Sequence, residues 1–243
     1  MADLLFTDTY LAEVYDLWHP RQVRDDFDFY QPMVMSAEAV LDVGCGTGMM
    51  LHEARDLGHR GRLCGLDPAA GMLARARART DVEWVEGGLE AAAFTEAFDL
   101  VVMTGHAFQA LVTDSEIAAA LVAVRRALRP GGCFAFETRN PASRAWESWR
   151  PENASDVTGP DGRPVRVTTQ VVEPFDGRTV SFTHKFTGPH PALPLESRST
   201  LRFLDAEAVR EHLAAAGLAV GAQFGDWDRS PLGGPEIITL AYR

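Results

Sequence analysis

The feature that most narrows the possible folds is the junction of Ala39-Val40-Leu41-Asp42-Val43 with Gly44-Cys45-Gly46-Thr47-Gly48. A short apolar run cut off by glycines reads as a buried strand. Glycine at positions 44, 46 and 48 lets the backbone turn tightly and approach a ligand where any side chain would collide. Met49 to Leu57, closed by Gly58, follows as a helix. Its first N–H groups have no intrahelical partner and favour polar or anionic ligand atoms. Asp42 sharpens this otherwise common turn. A dinucleotide fold aims the opening of its helix at a pyrophosphate, where a carboxylate two residues before the first glycine is unwelcome. A ligand carrying cationic groups tolerates that charge well.

The surrounding chain alternates strand and helix. Tyr10 to Trp18 places Leu11, Val14, Tyr15 and Trp18 on one helical stripe, ended by His19-Pro20. Leu63 to Leu66 reads as a second strand ending at Asp67, and Pro68 suits the first turn of the next helix. Val82 to Val85 and Phe98 to Met103 read as strands three and four. Ile117, Leu121, Val124 and Leu128 recur at helical spacing after Asp114, a candidate cap, and Pro130-Gly131-Gly132 stops that helix before a fifth strand at Cys133 to Thr138. Strands separated by helices imply crossovers, a parallel sheet and helices on both faces. After Arg150 the rhythm changes. Residues 151–164 read as a loop, followed by three stretches of period two at 165–172, 179–186 and 198–203, with Asp176-Gly177 as a hairpin turn. A helix capped by Asp205 and a closing antiparallel pair, 218–224 and 236–242, complete the chain.

With 243 residues, 46% of them hydrophobic, the chain has enough apolar mass for one full core. We read a single unit over 1–243: a helical cap over 1–37, a ligand-binding core over 38–140, an antiparallel insertion over 151–203, and a C-terminal helix and strand pair over 204–243. The net charge of −11 and the absence of a dense Lys/Arg block speak against a nucleic-acid partner. Cys45, Cys64 and Cys133 give neither a disulfide framework nor a zinc pattern, and His106, His184, His190 and His212 show no ligand spacing, so no metal is expected. The start, Met1-Ala2-Asp3-Leu4-Leu5-Phe6, lacks the features of a signal peptide, and no apolar run approaches the roughly 20 residues that span a bilayer. A cytoplasmic protein without a membrane partner is the expectation.

Four motifs in order carry a resemblance. Val40 to Gly48 resembles the main cofactor motif of the class I methyltransferases, Gly65-Leu66-Asp67 their second motif, Phe98 to Val102 their fourth strand, and Leu128-Arg129-Pro130-Gly131-Gly132 the turn before their fifth. The resemblance covers about residues 38–140. It implies an α/β, Rossmann-like, seven-stranded and mostly parallel sheet with helices on both faces, the last strand antiparallel, and the β insertion as a lid. It further implies S-adenosyl-L-methionine as methyl donor and S-adenosyl-L-homocysteine as product. On that pattern Gly44 and Gly46 contact the methionine part, Asp67 binds the ribose, Met72 packs against adenine, and Leu89 offers its backbone N–H to the adenine edge. Asp42, Tyr15, Pro68, Gly88 and Thr104 join them as cofactor-binding residues. Gly88 departs from the pattern: many relatives carry an acid there, a part left to Glu90 or a backbone carbonyl.

In open parallel sheets ligands gather beyond the carboxyl ends of the strands, which points to Thr104-Gly105-His106-Ala107-Phe108-Gln109 and to Arg139-Asn140. His106 has a pKa suited to a general base; capping the loop or bonding the cofactor explains it equally well. The aromatic residues Trp18, Phe108, Trp146 and Trp227, with Arg139, are the expected acceptor contacts. Singly, each aromatic residue is explained by core packing. As a group they favour a small, aromatic or largely apolar metabolite, methylated by in-line displacement driven mainly by proximity. Two alternatives stay open: an NAD(P)-dependent oxidoreductase, against which Met49 stands where a third dinucleotide glycine would fall, and an inactive cofactor-binding module of the same fold.

Overall fold

A computed structural model describes residues 3–243; Met1 and Ala2, on which part of the signal-peptide reading rests, lie outside the described residues. The chain opens with three helices, α1 (Leu4–Thr7), α2 (Thr9–Trp18) and α3 (Asp25–Ser36). The alternating core follows as β1 (Ala39–Val43), α4 (Met49–Asp56), β2 (Arg62–Asp67), α5 (Ala70–Ala76), β3 (Glu83–Glu86), β4 (Phe98–Met103), α6 (Asp114–Ala127) and β5 (Leu128–Arg139). Four strands, β6 (Ser155–Thr158), β7 (Pro164–Glu173), β8 (Thr179–Thr187) and β9 (Leu195–Arg202), make up the insertion. Helix α7 (Ala206–Ala215) and strands β10 (Ala219–Phe224) and β11 (Glu236–Tyr242) return to the first sheet.

That sheet has seven strands in the order β10-β11-β5-β4-β1-β2-β3. β1 pairs in parallel with β2 and β4, and β11 pairs antiparallel with β5 and β10. The order reverses at β1, so its carboxyl end, with that of β4 beside it, opens into a crevice. β1 is buried along its whole length, as a central parallel strand must be. One apolar layer packs Leu41, Phe98, Phe134 and Phe136 against α6 and α7, and the other packs Val40, Leu63 and Val102 against α3 and α4.

Several elements differ from expectation, for reasons visible in their pairing and caps. Thr113, rather than Asp114, caps α6: its hydroxyl accepts the Glu116 N–H while the Glu116 carboxylate accepts the Thr113 N–H, a reciprocal arrangement worth about 1 kcal/mol. Helix α5 begins at Ala70 because the Asp67 carboxylate takes the Ala69 N–H and holds Pro68 outside the helix. The loop over 151–164 contains β6, in which Ser155 to Thr158 pair with Val167 to Pro164. Its short polar sequence hides it, because an edge strand needs no apolar face.

The β insertion is joined to the N-terminal helices. Val165, Val167 and Phe186 bury against Leu5, Leu11 and Val14, each such side chain contributing roughly 1.5–3 kcal/mol. The Leu5 N–H donates to Ser197 Oγ at 2.9 Å. On the other side α1 touches α5 so closely that a Cβ on Gly71 would lie 2.5 Å from the Thr7 carbonyl oxygen. Arg202 of β9 fastens the insertion to the core, donating to Asp114 at 2.9 Å and to the Val112 carbonyl at 3.2 Å.

Candidate active site

A cavity of about 910 Å³ opens at the carboxyl ends of β1, β2 and β4, under α2 and the β7–β8–β9 wall. Its floor is the glycine loop. Gly44, Gly46 and Gly48 all have positive φ, between 56° and 79°, backbone that other residues adopt only with strain. A Cβ on Gly44 would meet Ala107 Cβ at 2.9 Å, whereas one on Gly46 would enter open space. Asp67 builds this loop from the next strand. Its Oδ2 accepts the Gly46 N–H at 2.9 Å and its Oδ1 the Ala69 N–H at 2.8 Å, leaving further lone pairs toward the cavity.

Asp42 lies beneath the loop, 1% exposed. Its Oδ1 is buried without a hydrogen-bond partner among the described residues. Burial, reinforced by the neighbouring Asp67 charge, pushes its carboxyl up to about 7. An orphaned acidic oxygen at the floor of a cavity suits a cationic group, because such a group supplies both the missing donor and the compensating charge. The residues therefore fit a ligand with an ammonium or sulfonium at this end.

Of the residues expected to bind the cofactor, Tyr15, Asp42, Gly44, Gly46, Asp67, Pro68, Met72, Gly88, Leu89 and Thr104 all line the cavity. Asp16, which carries no local signal in the sequence, lines it too. It accepts from Thr47 Oγ1 at 2.6 Å and from Arg75 Nε at 3.1 Å, tying α2 to the glycine loop and to α5.

The far end of the cavity is built from side chains. Gly105 and His106 both have positive φ, 66° and 62°. The fully buried Glu137 holds this turn: its Oε1 accepts the His106 backbone N–H and its Oε2 the Tyr30 hydroxyl proton, both at 2.6 Å. The His106 ring is turned so that Nε2 lies 2.9 Å from Glu236 Oε2, at the start of β11. Nδ1 makes no hydrogen bond among the described residues, and the residue lines the cavity. Burial pushes the His106 imidazole down to about 3 and the Glu236 carboxyl up to about 7. The imidazole is thus neutral at physiological pH. When Glu236 is ionised it accepts the Nε2 proton and leaves Nδ1 as a free base; when it is protonated it donates to Nε2 and Nδ1 carries the hydrogen.

Trp18, His19, Arg139, Trp149, Thr169, Phe182 and His184 complete this end. His184 Nδ1 lies 2.9 Å from Thr169 Oγ1, and burial keeps both His19 and His184 neutral, near 4. Three expected acceptor contacts do not reach the cavity. Phe108 is 2% exposed and packs at a tilt against Phe136 in the core, 4.5 Å between centroids. Trp146 packs against Phe175 and Phe203 behind the wall. Trp227 meets Phe29 and Tyr30 of α3. Each finds an apolar partner nearer than the crevice, and such partnerships lie far apart in the sequence. Glu236, Glu137 and Phe182 are the corresponding omissions. They stand in strands that read as structural, and only the sheet order brings them here. Among the described residues no group of three or more His, Cys, Asp or Glu is placed to hold a metal ion. No helix among them is long and apolar enough to cross a membrane.

Residues 40–132 match a family described as a methyltransferase domain. The chain is 33% identical over 137 residues to the cypemycin N-terminal methyltransferase of a Streptomyces species, an alignment spanning 55% of this chain and 54% of that protein. It is 29% identical over 228 residues, 86% of its length and 90% of the relative's, to the dTDP-3-amino-3,4,6-trideoxy-alpha-D-glucopyranose N,N-dimethyltransferase of Streptomyces venezuelae. An amino pentose methyltransferase of Micromonospora echinaspora, solved with S-adenosylmethionine bound, superposes with a TM-score of 0.70 at 26% identity, covering 95% of this chain and 96% of that one. The structural likeness, at 95% of the chain, extends through the insertion and the C-terminal strands, and it agrees with a floor shaped for a cationic ligand rather than for a pyrophosphate. Residues 40–132 thus carry a methyltransferase domain, and over most of its length the chain resembles methyltransferases that use S-adenosyl-L-methionine.

Proposed function

We propose that the chain methylates an amine nitrogen on a small-molecule acceptor, with His106 as general base and Glu236 as the group that sets its tautomer. The observation that carries this reading is the 2.9 Å contact between His106 Nε2 and Glu236, which leaves Nδ1 without a protein partner at the cavity wall. When bound, S-adenosyl-L-methionine supplies a methyl carbon activated by positive sulfur, which departs as the neutral thioether of S-adenosyl-L-homocysteine as the acceptor lone pair forms the new bond. An aliphatic amine has that lone pair only after losing a proton. A buried imidazole pushed down to about 3 is a weak base, so His106 Nδ1 takes the proton only while ionised Glu236, 2.9 Å from Nε2, stabilises the imidazolium that forms. Glu137 holds the His106 turn in its strained geometry, and Asp42 with Asp67 fixes the donor end.

One relative, named for N,N-dimethylation of a dTDP-linked amino sugar, supports nitrogen as the acceptor atom, and a second is named as an amino pentose methyltransferase. Trp18, Trp149 and Phe182 offer flat apolar faces to the acceptor's body. His19, Thr169, His184 and Arg139 add more polar contacts than a largely apolar metabolite requires, so a polar ring is favoured. The test is incubation with S-adenosyl-L-methionine and matched pairs of small cyclic amines and alcohols, with product masses and S-adenosyl-L-homocysteine release as readouts. Methylated amines are expected. Turnover of the alcohols with no turnover of the amines would overturn the nitrogen assignment.

A further inference from the structure

Three arginines line the cavity: Arg24, Arg139 and Arg198. Arg24 is held by Asp26 through two bonds, at 2.8 and 2.6 Å, and Arg198 donates to Glu173 at 2.6 Å. Arg139 has no carboxylate within 4.0 Å among the described residues, although a partner sits directly opposite. In the β5–β11 register Arg139 faces Glu236, a cross-strand position in which opposite charges ordinarily pair. Glu236 is turned away to His106 instead. Arg139 Nη1 donates to Gln109 Oε1 at 3.0 Å, and the guanidinium lies 5.6 Å from the Trp149 ring centroid. Its remaining N–H groups make no other hydrogen bond among the described residues, yet they are not closed off in the core. They open on the cavity.

Glu236 and Glu137 act on the Arg139 charge only through space, so this desolvated guanidinium has no carboxylate bonded to it, a costly arrangement that leaves its free edge for another use. We propose that Arg139 anchors a carboxylate on the acceptor, held by the free edge of the guanidinium while the amine of the same molecule faces His106. A planar fork with one positive charge matches a carboxylate. The same fork can take a phosphate, but Arg24 and Arg198 are bonded to their own carboxylates and Glu236 stands opposite, so the single charge of a carboxylate is favoured over a dianion. The acceptor class is then a cyclic or aromatic amino acid in the broad sense, an amine and a carboxylate on one ring-bearing scaffold.

The proposal rests on the methyl-transfer reading, and its test keeps the two apart. The protein is first titrated with S-adenosyl-L-homocysteine by calorimetry. The loaded protein is then titrated with 4-(aminomethyl)benzoate and with 4-(aminomethyl)benzamide, which differ only in the carboxylate, and separately with acetate and inorganic phosphate. The benzoate is expected to bind roughly tenfold or more tightly than the benzamide, as a charge-assisted fork requires. Arg139→Gln should erase that preference and Arg139→Lys retain part of it, both leaving S-adenosyl-L-homocysteine affinity unchanged. Equal binding of the pair, no binding of the benzoate, a preference that survives Arg139→Gln, or phosphate bound more tightly than acetate would overturn the carboxylate site. Failure to bind S-adenosyl-L-homocysteine at all would instead remove the methyl-transfer reading beneath it.

Discussion

The two ends of the cavity are built by different means. The donor end is mostly backbone: three glycines in left-handed conformations, their loop bonded to Asp67 from the adjacent strand and floored by Asp42. The end proposed to take the acceptor is almost entirely side chain, with Trp18 and His19 from the cap, His106 after β4, Arg139 at the end of β5, and Phe182 and His184 from the wall, while Glu236 of the last strand stands behind His106. A backbone cradle depends on a continuous run of residues and is recognisable wherever it occurs. A side-chain wall depends on which strands are neighbours, and each position can change without disturbing the rest. One architecture can thus keep its donor while exchanging its acceptor.

If that division is real, changes at the two ends should separate binding from turnover. The largest effect is expected from His106→Ala: a fall in kcat of roughly 10²–10⁴-fold with S-adenosyl-L-homocysteine affinity unchanged by calorimetry. Loss of affinity alongside kcat would mean that the histidine belongs to the donor end, and the comparison would fail. Asp42→Asn should do the reverse, weakening S-adenosyl-L-homocysteine by about 100-fold through loss of a charged partner. Wild-type affinity in that variant would detach the ammonium from Asp42.

Smaller effects sharpen the division. Asp42 is neutral below about 7 in the free protein, while the ammonium it suits needs the ionised form. Affinity for S-adenosyl-L-homocysteine should therefore rise as pH increases through about 7, with close to one proton released on binding, readable from calorimetry in two buffers of different ionisation enthalpy. Glu236→Gln should lower kcat about tenfold and remove a separate inflection. In the wild type, kcat should rise as Glu236 loses its proton through about 7, because only then is Nδ1 free to accept. Two inflections that move together in either variant would mean that the ends titrate as one network. Least affected should be Thr47→Val. Removing the bond to Asp16 is expected to cost roughly 1 kcal/mol in S-adenosyl-L-homocysteine affinity and nothing in kcat.

The same division explains what could be read from the sequence. The succession of strands and helices, the glycine turn, Asp67 and the helix starting at Met49 follow from local patterns of period and glycine placement, and so does the donor end. His106 and Arg139 were reachable because they stand just beyond the carboxyl ends of strands. Glu236 was not, since an acid at the start of an apolar strand looks like solvation, and its meaning comes only from β11 lying beside β5. Phe108, Trp146 and Trp227 show the converse error. Large aromatic residues near the crevice were credited to it, although packing with Phe136, Phe175 and Phe29 satisfies them first.

The junction between α2 and the insertion has a consequence for assembly. Leu5 and Ser197, which meet there, are 192 positions apart, and Leu11 and Val14 likewise wait for Val165, Val167 and Phe186. Contacts of that separation bear a loop-closure cost that delays them. As the chain emerges from a ribosome, the glycine loop and the five parallel strands β1 to β5 are complete well before β7 and β8 exist. Asp16 can meet Thr47 and Arg75 as soon as α4 and α5 form, so it is the opposite face of these helices, with Leu5, Leu11 and Val14, that stays bare until the insertion is made.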